Sequence, residues 1–317
     1  MALRDGMLKR KSSVLRHLLT MQSLDEKKIH GLLDRAEYFL KTVIAKEAVL
    51  TTLRGKVIAN LFFEPSTRTR NSFSIAEHRL GAIVLSPNMK QSSTLKGELL
   101  IDTIRNLEAM GVSLLVIRHP DNHLAQFLST ELKTNIAVVN AGDGSNEHPT
   151  QTLLDLMTIR QHFPDFSTLT VAIVGDIAHS RVARSLIMGL HLMKVKKIRI
   201  IAPKEFTPEN AESMDVDVFH SIDAGLVDAD VVYTLRVQKE RMEQSRHPKE
   251  KQYYQDFGLT QDRLTKAKPN AIVMHPGPMN RGVEIESSVA DGSQSVILQQ
   301  TQNSVAVRMA VIEALLC

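Results

Sequence analysis

The residues Phe62-Phe63-Glu64-Pro65-Ser66-Thr67-Arg68-Thr69-Arg70 place three hydroxyls and two guanidinium groups directly behind an apolar run. Such a set suits an anion with several oxygens. Hydroxyls and free backbone N–H groups donate to it, the positive end of a helix attracts it, and Arg adds short charge-assisted hydrogen bonds. Val57 to Phe63 reads as a buried parallel strand, which Pro65 stops because proline has no N–H for the ladder. Ser66 or Thr67 then caps a helix with apolar positions at Phe73, Ile75, Ala76 and Leu80. A lone Ser-Thr-Arg would be an ordinary capped helix with solvated arginines. Five such residues in succession after a buried strand point to a phosphate site.

Other polar groups recur where apolar runs end. Arg118-His119-Pro120 follows Val112–Ile117. The loop Asn140 to Gln151 follows Ile136–Val139; its glycines permit close backbone approach, and Pro149 can open a helix at its first position. His148 and Gln151, three residues apart, can then face one ligand from the first helical turn. Arg181 follows Val171–Val174 and Gly175-Asp176, and Arg236 and Gln238 follow Val231–Tyr233. Guanidinium forks match carboxylates geometrically, so two strand-end arginines predict a substrate with two carboxylates. Met274 to Gly282 contains Pro276, Gly277 and Pro278, a stiff irregular loop suited to carbonyl contacts with a ligand amide. The turn at Gly175 lacks the G-x-G-x-x-G spacing, which argues against nicotinamide binding.

The elements that must position these groups alternate along the chain. Ser23 and Glu26 read as a capping box, opening a helix with Ile29, Leu32, Leu33, Ala36 and Leu40 on one face. Strand patterns follow at Val57–Phe63, Ala82–Leu85, Val112–Ile117 and Ile136–Val139, with helical stretches between them. A second series lies at Leu169–Val174, Ile198–Ile201, Val216–Phe219, Val231–Leu235 and Ala271–His275. Alternation of this kind predicts an α/β chain of two doubly wound parallel-sheet domains, which bind ligands beyond the strand carboxyl ends. The expected division is 1–150 and 151–299, with the helix near Pro149 as the link. A final helix from about Ser304 to Leu316, within 300–317, is expected to pack back on the first domain. Residues 1 to about 20 read as a weakly ordered extension.

Composition narrows the class further. The chain has 317 residues, is 43% hydrophobic and 23% charged, and carries a formal charge of +4. Aromatics are 4% and Trp is absent, which argues against stacking platforms for single-stranded nucleic acid. Basic residues are dispersed, apart from Lys9-Arg10-Lys11, so the balance fits small anionic substrates. The one cysteine, Cys317, leaves no intrachain disulfide or cysteine zinc site and fits a reducing compartment. No signal peptide is readable and no apolar run could span a bilayer. A cytoplasmic protein with no membrane or nucleic-acid partner is expected.

Taken in order, these motifs resemble the aspartate carbamoyltransferase catalytic chains of the aspartate/ornithine carbamoyltransferase family. The resemblance runs from about Leu53 to the C-terminus and includes His-Pro-Gly-Pro-Met-Asn-Arg-Gly at positions 275–282. It implies transfer of a carbamoyl group from carbamoyl phosphate to L-aspartate, giving N-carbamoyl-L-aspartate and phosphate in pyrimidine synthesis, without metal or organic cofactor. It implies that Ser66, Thr67, Arg68 and Thr69 cradle the phosphate, and that Arg118, His148 and Thr69 polarise the carbamoyl oxygen. By the same resemblance Gln151 and the backbone at Pro276, Gly277 and Pro278 hold the carbamoyl amino group. Arg181, Arg236 and Gln238 hold the aspartate carboxylates. Lys96 with Ser93 (or Ser92) arrives from a neighbouring subunit of a homotrimer. The Gly-Pro-Met-Asn-Arg-Gly form is most like chains that assemble with a dihydroorotase-like partner; a regulatory chain is the other option. Ser74 stands where the family often has Glu, which touches the surroundings of the phosphate turn and not the reaction.

Two other readings remain. Ornithine carbamoyltransferases share the phosphate turn and histidine loop but place a Cys in a His-Cys-Leu-Pro motif, where this chain has His275-Pro276-Gly277-Pro278. They also carry a Ser-Met-Gly signature that is absent here. A catalytically silent assembly subunit is opposed by the occupancy of every motif position.

Overall fold

The structure, a computed structural model, describes residues 15–89, 97–132, 135–242 and 249–317. Ser92, Ser93 and Lys96 lie outside these residues. The first sheet is built from β1 (Val57–Phe62), β2 (Ile83–Leu85), β3 (Val112–His119) and β4 (Ala137–Asp143). Between them run α2 (Thr67–Arg79), α3 (Leu100–Ala109) and α4 (Leu124–Glu131), preceded by α1 (Glu26–Phe39). Helix α5 (Pro149–His162) leads to β5 (Thr170–Val174), α6 (Arg181–Leu192), β6 (Lys197–Ile201), β7 (Asp217–Phe219), α7 (Ile222–Gly225) and β8 (Val231–Thr234). Then come α8 (Glu250–Phe257), α9 (Gln261–Leu264), β9 (Ile272–Met274), α10 (Ser287–Ala290) and α11 (Ile297–Leu316).

All strand pairings are parallel, in the orders β2-β1-β3-β4 and β7-β6-β5-β8-β9. The central strands are largely buried because helices cover both faces, so alternation is lost; β4 and β5 are buried at every position, whereas the edge strands β2 and β7 are exposed or half-buried. Each order reverses direction once, between β1 and β3 in the first sheet and between β5 and β8 in the second. A crevice opens at such reversals, beyond the carboxyl ends of the strands. The two reversals therefore fix where a ligand can lie.

Several local expectations give way to tertiary contacts. Helix α1 is capped by Asp25, whose carboxylate accepts from Lys28 N–H at 2.7 Å, and not by Ser23. Ser23 Oγ instead donates to Thr20 O at 2.7 Å, so the Ser23–Glu26 box does not form. Ile75 is 48% exposed, and α2 buries Thr69, Ser72 and Glu77 alongside Phe73 and Ala76. The residues just before 20 are not a loose extension. Leu18 is fully buried, and its N–H and C=O bond to Val138 O and Asn140 N at 2.9 Å, extending the edge of β4. Helix α11 begins at Ile297, earlier than its apolar pattern indicates, and packs against α1, α2 and α5. Its early turns are polar because Gln300 and Asn303 are buried in hydrogen bonds to α5.

Candidate active site

The loops after β1, β3, β4, β5, β8 and β9 converge on one cleft of about 1030 Å³. Of the described residues singled out from the sequence, Ser66, Thr67, Arg68, Thr69, Arg118, His148, Gln151, Arg181, Arg236, Gln238, Pro276, Gly277 and Pro278 line it; Arg70, the second guanidinium of the phosphate turn, does not, and donates to Pro87 O at 3.1 Å.

The phosphate turn follows from backbone chemistry. Ser66 is the N-cap of α2 in extended conformation, yet its side chain makes no capping bond. Arg70 N–H reaches Ser66 O at 3.3 Å, and the amides before it have no place in the helical ladder. Those amides and the Ser66 hydroxyl are left for an anion at the positive helix end. Arg68 reaches across the cleft, and its Nη2 donates to Pro276 O. A Cβ on Gly277, which has φ +58°, would sit 1.5 Å from Arg68 Nη1. Only glycine lets the loop after β9 lie against this guanidinium. Burial lowers the Arg68 pKa, with Tyr233 and Asp155 acting against that shift.

Arg118, at the end of β3, donates from Nη1 to Ala141 O at 3.3 Å. Burial, with Arg181 adding to it, pushes its guanidinium down to about 9. It stays protonated near neutral pH, so the cleft concentrates positive charge that an anion relieves. Gly142, with φ +114°, packs beneath Arg118 and Arg181; a Cβ there would lie 3.1 Å from one and 3.2 Å from the other. Glu64 counters this charge. Its Oε2 accepts from Arg181 Nη2 at 2.5 Å and lies 3.2 Å from Arg118 Nε.

His148 occupies the N-cap of α5 without capping it; its backbone N–H donates to Ser185 Oγ at 2.8 Å. Burial, then the positive charges of Arg118, Arg308, Arg181 and Arg68, hold its pKa well below the ordinary value. The ring is therefore neutral. Thr150 Oγ1 lies 3.5 Å from Nδ1, while Nε2 is buried without a partner, so we assign the proton to Nε2. Arg181 Nη1 is likewise a buried donor without a hydrogen bond, while Arg118 Nε has the Glu64 carboxylate 3.2 Å away. A buried donor left unsatisfied costs about 1–3 kcal/mol, so two of them in one cleft describe a site shaped for acceptor oxygens.

On the second-sheet side, Arg236 Nη2 donates to Gln238 Oε1 at 3.3 Å, and Asp176 holds Gln238 N–H at 3.0 Å. Arg241 and His179 also line the cleft, and Arg241 Nη1 donates to His179 O at 2.8 Å. Neither was marked by its sequence context, and nor was Glu64, which reads only as a strand stop. Arg308 was missed as well. It lies in α11 with its guanidinium 4.7 Å from the Phe73 ring centre and donates to Ser304 O at 3.1 Å. A lone basic residue inside the apolar run Val305 to Leu316 was the available signal. Among the described residues no cluster of three His, Cys, Asp or Glu could hold a metal, and no helix is long and apolar enough to cross a membrane.

Residues 16–161 match the family model of the aspartate/ornithine carbamoyltransferase carbamoyl-P binding domain, and residues 167–315 that of the Asp/Orn binding domain. The aspartate carbamoyltransferase catalytic subunit of Coxiella burnetii is 51% identical over 300 residues, covering 95% of this chain and 96% of that one. The crystal structure of Trypanosoma cruzi aspartate transcarbamoylase with N-(phosphonacetyl)-L-aspartic acid superposes with a TM-score of 0.84 at 30% identity, covering 95% of this chain and 96% of that one. Ornithine carbamoyltransferase from Thermus thermophilus superposes with the same score of 0.84 at 27% identity, covering 96% and 100%.

Proposed function

The chain belongs to the aspartate/ornithine carbamoyltransferase family, and we propose from its cleft how it transfers the carbamoyl group of carbamoyl phosphate to L-aspartate. The observation that carries this reading is the pair of unpartnered buried donors, His148 Nε2 and Arg181 Nη1, lining one cleft with Arg118 and a phosphate turn.

In this reading the first sheet and its helices bind carbamoyl phosphate and the second binds aspartate. The phosphate lies on the N-terminus of α2, held by Ser66, Thr67, Arg68 and Thr69. The carbamoyl oxygen accepts from His148 Nε2, Arg118 and Thr69, and its amino group faces Gln151 and the carbonyls of the Pro276–Pro278 loop. Arg181, Arg236 and Gln238 hold the two carboxylates of aspartate, with its neutral amine toward the carbamoyl carbon. Attack moves negative charge onto the carbamoyl oxygen and then onto the leaving phosphate, which accepts the amine proton. No covalent enzyme intermediate is needed. Orientation of the two substrates accounts for roughly 7–11 kcal/mol of the barrier. Each well-placed donor at the developing oxyanion contributes about 3–4 kcal/mol. His148 serves as a neutral donor, which costs no proton transfer.

Ornithine is the competing acceptor. It attacks through its side-chain amine, so the end turned toward Arg181, Arg236 and Arg241 carries one carboxylate and an α-ammonium, a poorer match for three guanidinium groups than the two carboxylates of aspartate. The purified chain should release phosphate from carbamoyl phosphate with aspartate and not with ornithine; turnover with ornithine alone would overturn the reading. We further propose a homotrimer in which Lys96, with Ser92 or Ser93, completes a neighbour's site. Reassembling Lys96→Ala chains with Arg236→Ala chains, assayed at aspartate too dilute for the Arg236→Ala parent to turn over, should then restore a minor fraction of wild-type activity. Mixed oligomers as inactive as their parents would show that each site is built within one chain.

A further inference from the structure

Asp155, on α5, is fully buried directly behind the cleft and accepts from three side chains on three elements. Gln151 Nε2 and Gln300 Nε2 both donate to its Oδ1, at 3.0 and 2.8 Å, and Tyr233 Oη donates to its Oδ2 at 2.7 Å. Gln151 is one helical turn back on α5, Gln300 belongs to α11, and Tyr233 lies in β8. Nothing in the reaction itself uses Asp155, which does not line the cleft.

An amide side chain has a donor end and an acceptor end, and its orientation is set by its partners. Because Asp155 Oδ1 can only accept, each glutamine must turn its NH2 toward it. Gln300 then offers its carbonyl oxygen to His275 N–H at 3.0 Å, which fixes the start of the loop carrying Pro276 and Gly277. Gln151 lines the cleft, and with its NH2 spent on Asp155 the group it has left to offer there is its carbonyl oxygen. We propose that Asp155 is a positioning residue that presents Gln151 Oε1 as an acceptor to the substrate's amino group, and so makes the cleft prefer a carbamoyl phosphate over an acyl phosphate. The proposal rests on the carbamoyl-transfer reading above. An acyl phosphate carries a methyl group where carbamoyl phosphate carries NH2. The acceptor rewards the second and is left unpaired by the first, which is the discrimination a hydrogen-bonding site performs well.

The orientation survives a change of protonation. Burial raises the Asp155 pKa to about 7, against the hydrogen bonds of Gln300, Tyr233 and Gln151. A proton taken up on Oδ2 faces Tyr233, whose hydroxyl can turn to accept it, and Oδ1 still accepts from both amides. The acceptor oxygen, rather than the charge, therefore sets the amides. That distinction makes Asp155→Asn and Asp155→Leu different experiments. Asn keeps an acceptor oxygen toward the glutamines and a donor toward Tyr233; Leu keeps neither.

The test is binding of carbamoyl phosphate and acetyl phosphate by calorimetry without aspartate, read as the ratio of their dissociation constants. Asp155→Leu should lower the preference for carbamoyl phosphate by about ten-fold or more, leaving acetyl phosphate affinity within a few-fold. Asp155→Asn should keep the wild-type ratio within about three-fold, since its acceptor remains. Where Asp155→Leu does not fold, Asp155→Leu with Tyr233→Phe removes both polar partners and serves the same comparison. Equal weakening of both ligands, an unchanged ratio in the Leu variant, or loss of the ratio in the Asn variant would each overturn the proposal. Failure of the carbamoyl-transfer reading shows separately, as absence of phosphate release with aspartate, which this measurement does not use.

Discussion

The two sides of the cleft hold their arginines by different means. On the side of the first sheet, Arg68 donates to the backbone carbonyl of Pro276 and pairs with no carboxylate among the described residues, while Arg118 donates to Ala141 O and lies 3.2 Å from Glu64, at the border with the other side. On the side of the second sheet, a carboxylate takes Arg181, with Glu64 at 2.5 Å, and Arg236 is held indirectly: it donates to Gln238 Oε1 at 3.3 Å, and Asp176 fixes Gln238 N–H at 3.0 Å. A carbonyl orients a guanidinium without cancelling its charge. A carboxylate cancels the charge until another carboxylate replaces it. The first side thus offers preorganised positive charge where the transition state develops negative charge. The second exchanges one anion for another, which binds the ground state and the transition state alike.

The largest loss of activity is expected at Arg68. Arg68→Ala removes charge that strengthens its interaction as the phosphate leaves, so kcat should fall by about 10²–10³-fold with a smaller change in KM for aspartate. Steady-state kinetics checks this; a raised aspartate KM with kcat intact would place Arg68 on the wrong side. Arg236→Ala is the counterpart. It should raise KM for aspartate by about 10²-fold, the size of a lost charged partner. Carbamoyl phosphate affinity, measured by calorimetry, should stay within a few-fold. A parallel loss of carbamoyl phosphate binding would show that the two sides are not separate.

The same division explains what could be read from the sequence. Strands and the cleft residues of the motifs were legible because burial on both faces demands continuous apolar runs, and ligand groups must follow them. What stayed hidden depends on partners distant in sequence. Asp155 and Tyr233 are 78 residues apart, and Asp155 and Gln300 are 145 apart. No periodicity links them, and each alone reads as an ordinary polar interruption. Leu18 reads as part of a loose terminus because its strand pairing is with β4, far along the chain. Glu64 reads as a stop because its partner Arg181 lies 117 residues away. Asp25 overrides Ser23 as cap for a local reason: Ser23 Oγ bonds back to Thr20 O.

Gly277 sharpens the comparison without touching a charge. Gly277→Ala adds a methyl group that must displace the flexible end of Arg68, and it places alanine at φ +58°. The backbone term costs about 1–2 kcal/mol in stability. Displacing Arg68 should lower kcat by about ten-fold, a part of what its full removal costs. Carbamoyl phosphate turnover with aspartate, measured with melting temperature, separates the two effects. Normal kcat in a destabilised variant would mean that Arg68 does not need the Pro276 carbonyl.

The smallest effect lies beneath the first side, at Glu147. It is buried next to His148, accepts from Met21 N–H at 2.8 Å and from Ser185 Oγ at 3.5 Å, and does not line the cleft. Burial, aided by nearby Asp143, raises its pKa to about 7 from the 4.5 of the free group. The folded protein therefore binds a proton there more readily than the unfolded chain. Its contribution is fully present below pH 4.5, is lost as pH rises toward 7, and is constant above that. The loss is on the order of 1–3 kcal/mol. Glu147→Gln keeps an acceptor for Met21 N–H and removes the titration. Compared with wild type, it should gain relative stability between pH 5 and pH 8 by that amount, read from urea unfolding midpoints, with kcat within about two-fold. Asp155 and Glu77 carry similarly raised pKa values, about 7, so the wild-type slope is shared and only the difference between the two proteins isolates Glu147. A difference that is the same at pH 5 and pH 8 would mean that charge on Glu147 costs the fold nothing. The orienting network under the first side would then be held by hydrogen bonds alone.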